Sequence, residues 1–233
     1  MRLNKTLLAG LAISLSCGLV SFSQTPETDF QIWNETTFVK PVLKTKDSKG
    51  KDVARLSLLF FGTLRLGQNR AFPVDKRVGT GFELRLNDNF TLAPTYLYRS
   101  ANPGRNSKEY EHRIRFDLTY EKKWSRFSFK NRNRVEYRAR NSRSDPVRYR
   151  NKSTFKYFVK NDDGDVLFEP FASTEPYYDF SAKNLSSHEF MAGIARKLSK
   201  NVSAEFFYVR RDNRSGAPRH INGVGTNFKI VLP

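Results

Sequence analysis

From Glu109 the chain reads EYEHRIRFDLTYEK, and its residues sort by parity. Odd positions carry Glu109, Glu111, Arg113, Arg115, Asp117, Thr119 and Glu121; even positions carry Tyr110, His112, Ile114, Phe116, Leu118 and Tyr120. A period of two held over a dozen residues puts charge on one face of a β-strand and apolar groups on the other. The apolar face has aromatics at both ends and aliphatics between. A strand crossing a bilayer meets interface, hydrocarbon and interface in that order.

The alternation recurs. Leu56, Leu58, Phe60, Leu64 and Leu66 share one face, as do Val78, Thr80, Phe82, Leu84 and Leu86. Val202, Ala204, Phe206 and Tyr208 follow, then Val224, Thr226, Phe228, Ile230 and Leu232 against Gly223, Gly225, Asn227 and Lys229. No segment carries a helical period. The expected fold is all-β, a transmembrane antiparallel barrel. A soluble sandwich shares the period of two, but these runs span roughly nine to fifteen residues, against the usual five or six.

Eleven runs can be counted, whereas bacterial barrels of one chain have an even number of strands. The expectation is therefore twelve strands, with ten as the alternative and a missed or split strand between Gln24 and Asp52. Pro94 and Pro170 fall inside runs and imply bulges. Asn131 and Asn133 fall on the apolar side of theirs, which fits badly. Short turns are expected at Asn87–Asn89, Trp124-Ser125, Asn161–Gly164 and Ser199–Asn201. Longer polar links are expected at Ser100–Lys108, Asn141–Pro146, Tyr177–Ser186 and Asp212–Arg219. Short turns at one end and longer loops at the other mark an outer-membrane barrel.

The first residues change the picture of where this barrel sits. Met1–Lys5 is basic, Thr6–Phe22 is apolar, and Ser21 and Ser23 are small, the pattern of a Sec signal peptide cleaved after Ser23. The domain plan is a signal peptide over 1–23 and a barrel over 24–233. Cys17, the one cysteine, raises a lipoprotein alternative, but Ser14-Leu15-Ser16 is a poor lipobox. No second apolar run approaches the ~20 residues of a spanning helix. The destination is the outer membrane of a Gram-negative bacterium. The expected partners are outer-membrane lipid and lipopolysaccharide, the barrel-assembly machinery during insertion, and small anions, with no nucleic acid.

Charge then becomes a question of arrangement. The chain of 233 residues carries +18 and is 38% hydrophobic and 14% aromatic. Losing Arg2 and Lys5 with the leader leaves +16. On the run after Glu109, a turn at Trp124-Ser125 sets Asp117 opposite Arg132, Arg113 opposite Glu136, Glu111 opposite Arg138 and Glu109 opposite Arg140. A turn around Asn161–Gly164 sets Lys156 opposite Glu169 and Arg150 opposite Glu175. Opposed charges on paired strands contribute roughly 0.2–1 kcal/mol each, so this face is expected to be a set of ion-pair ladders inside the barrel. The ladders leave Arg115, Arg134, Arg148 and Lys152 over, as candidates for an anion-attracting lumen.

The arrangement Arg132-x-Arg134-x-Glu136-x-Arg138, the following Arg148-x-Arg150, the later Glu175 and the early Gln31-Ile32-Trp33 resemble a bacterial barrel family catalogued as a domain of unknown function. The resemblance runs from about Asp29 to the end. It implies an outer-membrane barrel and offers no substrate.

Enzyme chemistry has one candidate. His112, His188 and His220 share no metal-like spacing, and neither a metal nor another cofactor is expected. Ser186 and His188 lie where a loop enters a strand, on one face, which suggests a lipid hydrolase acting at the rim. That chemistry also needs an orienting acid and an oxyanion hole, and Glu189 points the other way. The stretch Pro176–Phe180 is read as an aromatic loop, a partner contact or an interfacial anchor. The expected function is a narrow porin-like channel for small anionic solutes or a structural barrel, with the rim hydrolase as the alternative.

Overall fold

The computed structural model describes residues 27–68, 71–104, 107–141, 147–214 and 218–233, with backbone alone at 103, 104 and 107. The signal peptide and Cys17 lie outside the described residues. Among those residues the chain forms twelve strands and no helix. They are β1 (Thr28–Lys46), β2 (Asp52–Gly67), β3 (Phe72–Arg85), β4 (Phe90–Gly104), β5 (Ser107–Lys123) and β6 (Phe127–Arg140). The rest are β7 (Val147–Tyr157), β8 (Val159–Lys160), β9 (Val166–Asp179), β10 (Asn184–Lys197), β11 (Val202–Asn213) and β12 (His220–Val231). Each stave pairs antiparallel with the next, and β12 returns to β1, so the sheet has no free edge.

The twelve strands make eleven staves, because β8 has two residues and continues the line of β7. The split lies at Phe158 and not between Gln24 and Asp52, where β1 runs unbroken to Lys46. Pro170 explains it. The β7–β9 ladder reaches Lys156↔Phe171 and resumes in β8 at Val159↔Phe168, so Pro170 stands where Tyr157 would pair, with no N–H to give. Pro94 acts alike: the β3–β4 ladder skips from Gly81↔Thr95 to Leu84↔Leu92 without changing register. Both prolines therefore make gaps in the ladder, not the bulges expected of them. An odd number of alternating staves forces the first and last to run the same way. Accordingly β1 and β12 pair in parallel from Thr28↔His220 to Val39↔Val231.

The rim where β1–β2, β3–β4, β5–β6, β8–β9 and β10–β11 join, here the lower rim, carries the expected short turns. Gly164 takes φ 84° in the β8–β9 turn, the left-handed position a hairpin glycine supplies without steric cost. Ser48 N–H donates to Asp88 Oδ2 at 3.1 Å, tying two of these turns together, and the Ser48 hydroxyl with that N–H holds the Asp88 carboxyl below its ordinary pKa. At the upper rim two of the four longer links shrink. β4 runs to Gly104 with β5 starting at Ser107, and β9 runs to Asp179 with β10 starting at Asn184. Tyr177 and Asp179 are therefore strand residues that point inward, not parts of an aromatic loop.

The outside is apolar. Ile32, Phe60, Phe82, Ile114, Phe116, Val135, Ile194 and Phe206 are all exposed there. Aromatic pairs gird it toward each rim: Tyr98 stacked with Tyr110 above, and Phe90 tilted against Tyr120 and Trp124 stacked with Phe127 below. Asn131 and Asn133 do face outward, and each is satisfied by neighbours. Asn131 donates to Asn151 Oδ1 and Ser153 Oγ, and Asn133 Oδ1 accepts from Asn151 and from Tyr149 Oη. A saturated amide cluster costs far less in an apolar setting than free amides would.

The inside is divided. On the β9–β12 side Trp33, Phe171, Met191, Ala195, Phe207, Val209 and Ile221 pack into a buried cluster. Gly225 makes room for it, since a Cβ there would stand 2.6 Å from Phe207 Cζ and 2.7 Å from the Trp33 carbonyl oxygen. Charged and polar side chains line the rest.

Candidate functional site: the charged lumen

The β5–β6 turn sets the geometry of the charged wall. Trp124 N–H donates to the Phe127 carbonyl at 2.8 Å, so the two-residue turn is Ser125-Arg126, one residue later than Trp124-Ser125. Moving a two-residue turn by one residue moves every pairing by two. The faces survive, because the strand period is two, but the partners change. Asp117 opposes Arg134, not Arg132; Arg115 opposes Glu136; Arg113 opposes Arg138; Glu111 opposes Arg140. In the next hairpin Lys156 opposes Phe171 and Arg150 opposes Tyr177.

Several expected ion pairs nonetheless form, on the diagonal. Arg113 Nη1 lies 3.7 Å from Glu136 Oε2, Arg138 Nε 3.8 Å from Glu111 Oε1, and Lys156 Nζ 3.5 Å from Glu169 Oε2. Arg150 holds Glu175 with two bonds, Nε to Oε1 at 3.0 Å and Nη2 to Oε2 at 2.9 Å. Diagonal neighbours in a sheet lie within reach of side chains as long as these. Two expected pairs are replaced: Glu109 is held by Arg99 at 3.4 Å, and Arg132 turns to Glu175 at 2.6 Å.

Two of the four cations expected to be left over have carboxylates. Arg134 makes two 2.6 Å bonds to Asp117, and Arg148 bonds both oxygens of Asp179 at 2.5 and 3.0 Å. Arg115 donates to Thr95 Oγ1 at 3.0 Å and lies over the Phe61 ring. Lys152 has Met191 Sδ at 3.2 Å. Neither has a carboxylate within 4 Å among the described residues. Lys130 and Lys229, inward by parity and exposed in the lower lumen, share that condition, and neither was among the four cations expected to be left over.

The network extends well beyond the ladders read from sequence. Asp75 on β3 accepts from Arg77 and Arg99. Arg138 reaches Asp179 at 3.2 Å. Tyr177 Oη accepts from Arg150 Nη2 at 2.9 Å and donates to Glu189 Oε2 at 2.9 Å, and Arg211 closes on the same Glu189 oxygen. The Arg211 and Arg65 guanidiniums both lie over the Trp33 ring, 4.8 and 3.4 Å from its centroid. Trp33 Nε1 donates to Gln31, which donates to Asp29. Charge and ring contacts thus run around the lumen through β3, β4, β5, β6, β7, β9, β10, β11, β1 and β2. Inward parity marked Glu189 and Arg211; nothing in the sequence marked their union with Trp33.

Exposure within this network is uneven. The carboxylates lie against the wall: the Glu136 side chain is 0% exposed, and those of Glu111 and Glu175 are 2%. Arg132, Arg99 and Arg148 keep more surface, 23%, 18% and 16%, whereas Arg138 is as buried as Glu111, and Glu109, Glu169 and Glu205 are each more exposed than the cation they pair with.

Ser186 and His188 are not brought together. Ser186 is the bulged residue of the β9–β10 ladder, and its hydroxyl turns to the Tyr177 carbonyl. His188 faces outward with Nε2 2.6 Å from Thr174 Oγ1. The bulge separates the two residues that strand parity would place together.

A closed barrel, apolar and aromatic-girded outside and charged within, is the architecture of a membrane-spanning β-barrel. The chain belongs to the family described as Protein of unknown function (DUF2490), whose profile matches residues 30–222 and so spans the Trp33 and Arg132–Arg150 motifs. No curated protein sequence matches it. Among solved structures it is similar to one described as the NanC porin, at 14% identity and a TM-score of 0.41, over 72% of this chain and 87% of that one.

Proposed function

We propose that the protein is a narrow outer-membrane channel that favours small anions, exported by its leader and surrounded by lipid and lipopolysaccharide. The observation that carries this reading is the uneven exposure of the ion pairs. Around Glu136, Glu111 and Glu175 the accessible surface belongs to Arg99, Arg132 and Arg150, and the balancing carboxylates are sealed from solvent. Such a wall attracts anions even where its charges are paired, because field strength falls with distance and the low-dielectric wall concentrates it. Lys130 and Lys229 add exposed positive charge in the lower lumen. Eight staves are just filled by side chains and sixteen leave a wide channel; eleven fall between.

The test is the reversal potential of single channels in a planar bilayer under a salt gradient. An anion-selective sign is expected, weakening as salt rises and the Debye length shortens. A cation-selective sign overturns the reading. The absence of any conductance would favour a structural barrel, the second reading, which has the near-zero exposure of Glu136, Glu111 and Glu175 in its support.

A further inference from the structure

Arg65 differs from the other inward arginines of the upper lumen. It is 8% exposed, yet it donates no hydrogen bond and has no carboxylate within 4 Å among the described residues. Its Nε is sealed from solvent without a partner, while its terminal nitrogens keep some accessible surface. The cause is visible in the ladder. Arg65 stands directly between Trp33 on β1 and Asp75 on β3. Asp75, its natural partner, is already engaged by Arg77 with bonds of 2.8 and 2.6 Å and by Arg99 at 3.0 Å. Of the other carboxylates on the strands around it, Glu189 is held by Arg211 and Tyr177, Glu35 accepts from Thr63, and Asp29 accepts from Gln31. Arg65 lies instead on the indole, 3.4 Å from its centroid.

A desolvated guanidinium without a counter-charge is costly, and a cation–π contact offsets only part of that cost. We propose that Arg65, with Trp33 beneath it, is a binding subsite for a small carboxylate solute. The planar fork of an arginine matches a carboxylate with two parallel N–H···O bonds. A monoanion is favoured over a dianionic phosphate because the neighbouring arginines are neutralised by Asp75 and Glu189, leaving about one positive charge to balance. The subsite rests on the anion-channel reading for its route of access, but binding can be measured without conduction.

The chain has two tryptophans, Trp33 and Trp124, so W124F leaves Trp33 as the sole reporter. Titrating this variant, folded in detergent, with sodium acetate should give a saturable change in tryptophan emission. Sodium chloride at equal ionic strength should not. R65K keeps the charge but loses the fork, and should weaken the acetate response about tenfold or more; R65M should abolish it. Heat-modifiable migration on gels verifies that each variant is folded, and R65K alone decides if R65M is not. An acetate response equal to that of chloride, an R65K response equal to the parent's, or tighter binding of phosphate than of acetate overturns the proposal. Saturable acetate binding in a barrel that conducts nothing would keep the subsite and overturn the channel.

Discussion

Arg134 and Asp117 face each other across the β5–β6 ladder and share two hydrogen bonds of 2.6 Å, the Arg134 side chain 9% and that of Asp117 11% exposed. Removing one partner of a buried pair leaves an uncompensated charge, at a cost of about 3–5 kcal/mol. Asp117→Arg alone should therefore lower the urea midpoint of the folded barrel sharply. The exchange, Asp117→Arg with Arg134→Asp, should recover most of the loss. Equal damage from single and double variants would show that the pair is not what matters.

The two faces of the wall should respond oppositely to charge. Phe206 is 55% exposed on the outside, and Phe206→Arg should cost about 2–4 kcal/mol if it lies near the bilayer midplane. Asn227 faces the lumen opposite Glu35 and Glu205 and donates to Glu205 at 3.0 Å. Asn227→Arg should be far milder. Refolding yield into lipid vesicles measures both, and a reversed order would mean that inside and outside had been exchanged.

Gly79 is inward on β3, where a Cβ would stand 2.2 Å from Phe61 Cζ and 2.7 Å from the Tyr96 carbonyl oxygen. Gly79→Ala should cost about 1–3 kcal/mol by overpacking. Adding Phe61→Leu should relieve the ring contact but not the carbonyl one, so the rescue is partial. Urea midpoints of the two variants give the difference.

The parallel seam can be trapped covalently. Asn34 and Thr226 are register partners across β1 and β12, with Asn34 Nδ2 donating to Thr226 Oγ1 at 2.8 Å. Cysteines at both positions should cross-link under mild oxidation and change the migration of the unreduced chain on a denaturing gel. An antiparallel or shifted closure would leave them unlinked.

Lys130 and Lys229 are exposed inward cations with no carboxylate within 4 Å among the described residues. Replacing both with Glu should move the channel's reversal potential toward cations, and high salt should shrink the shift by screening. An unchanged potential would place the selectivity elsewhere, in the arginine belt above.

Parity along the chain settled which residues face in and which face out, since alternation at period two is a local property of an extended backbone. From it came the barrel, the apolar outer band and the charged interior, including Glu111, Arg134, Glu136, Arg150 and Glu175. Pairing is not local. One residue of difference in the Ser125-Arg126 turn kept every face and re-dealt every directly opposed pair of that hairpin, so Arg134 gained Asp117, while the β7–β9 register gave Arg148 its Asp179; no spacing announced either. Tyr177 and Asp179 carried inward parity as well, but Pro176 and Phe180 read as loop until β9 was paired on both sides. The closure was decided by the whole sheet: Pro170 interrupts one stave, eleven remain, and β1 must meet β12 in parallel. The stacking of Arg65 on Trp33, with Asp75 already taken, depends on three neighbouring strands at once, and only the closed barrel brings those three together.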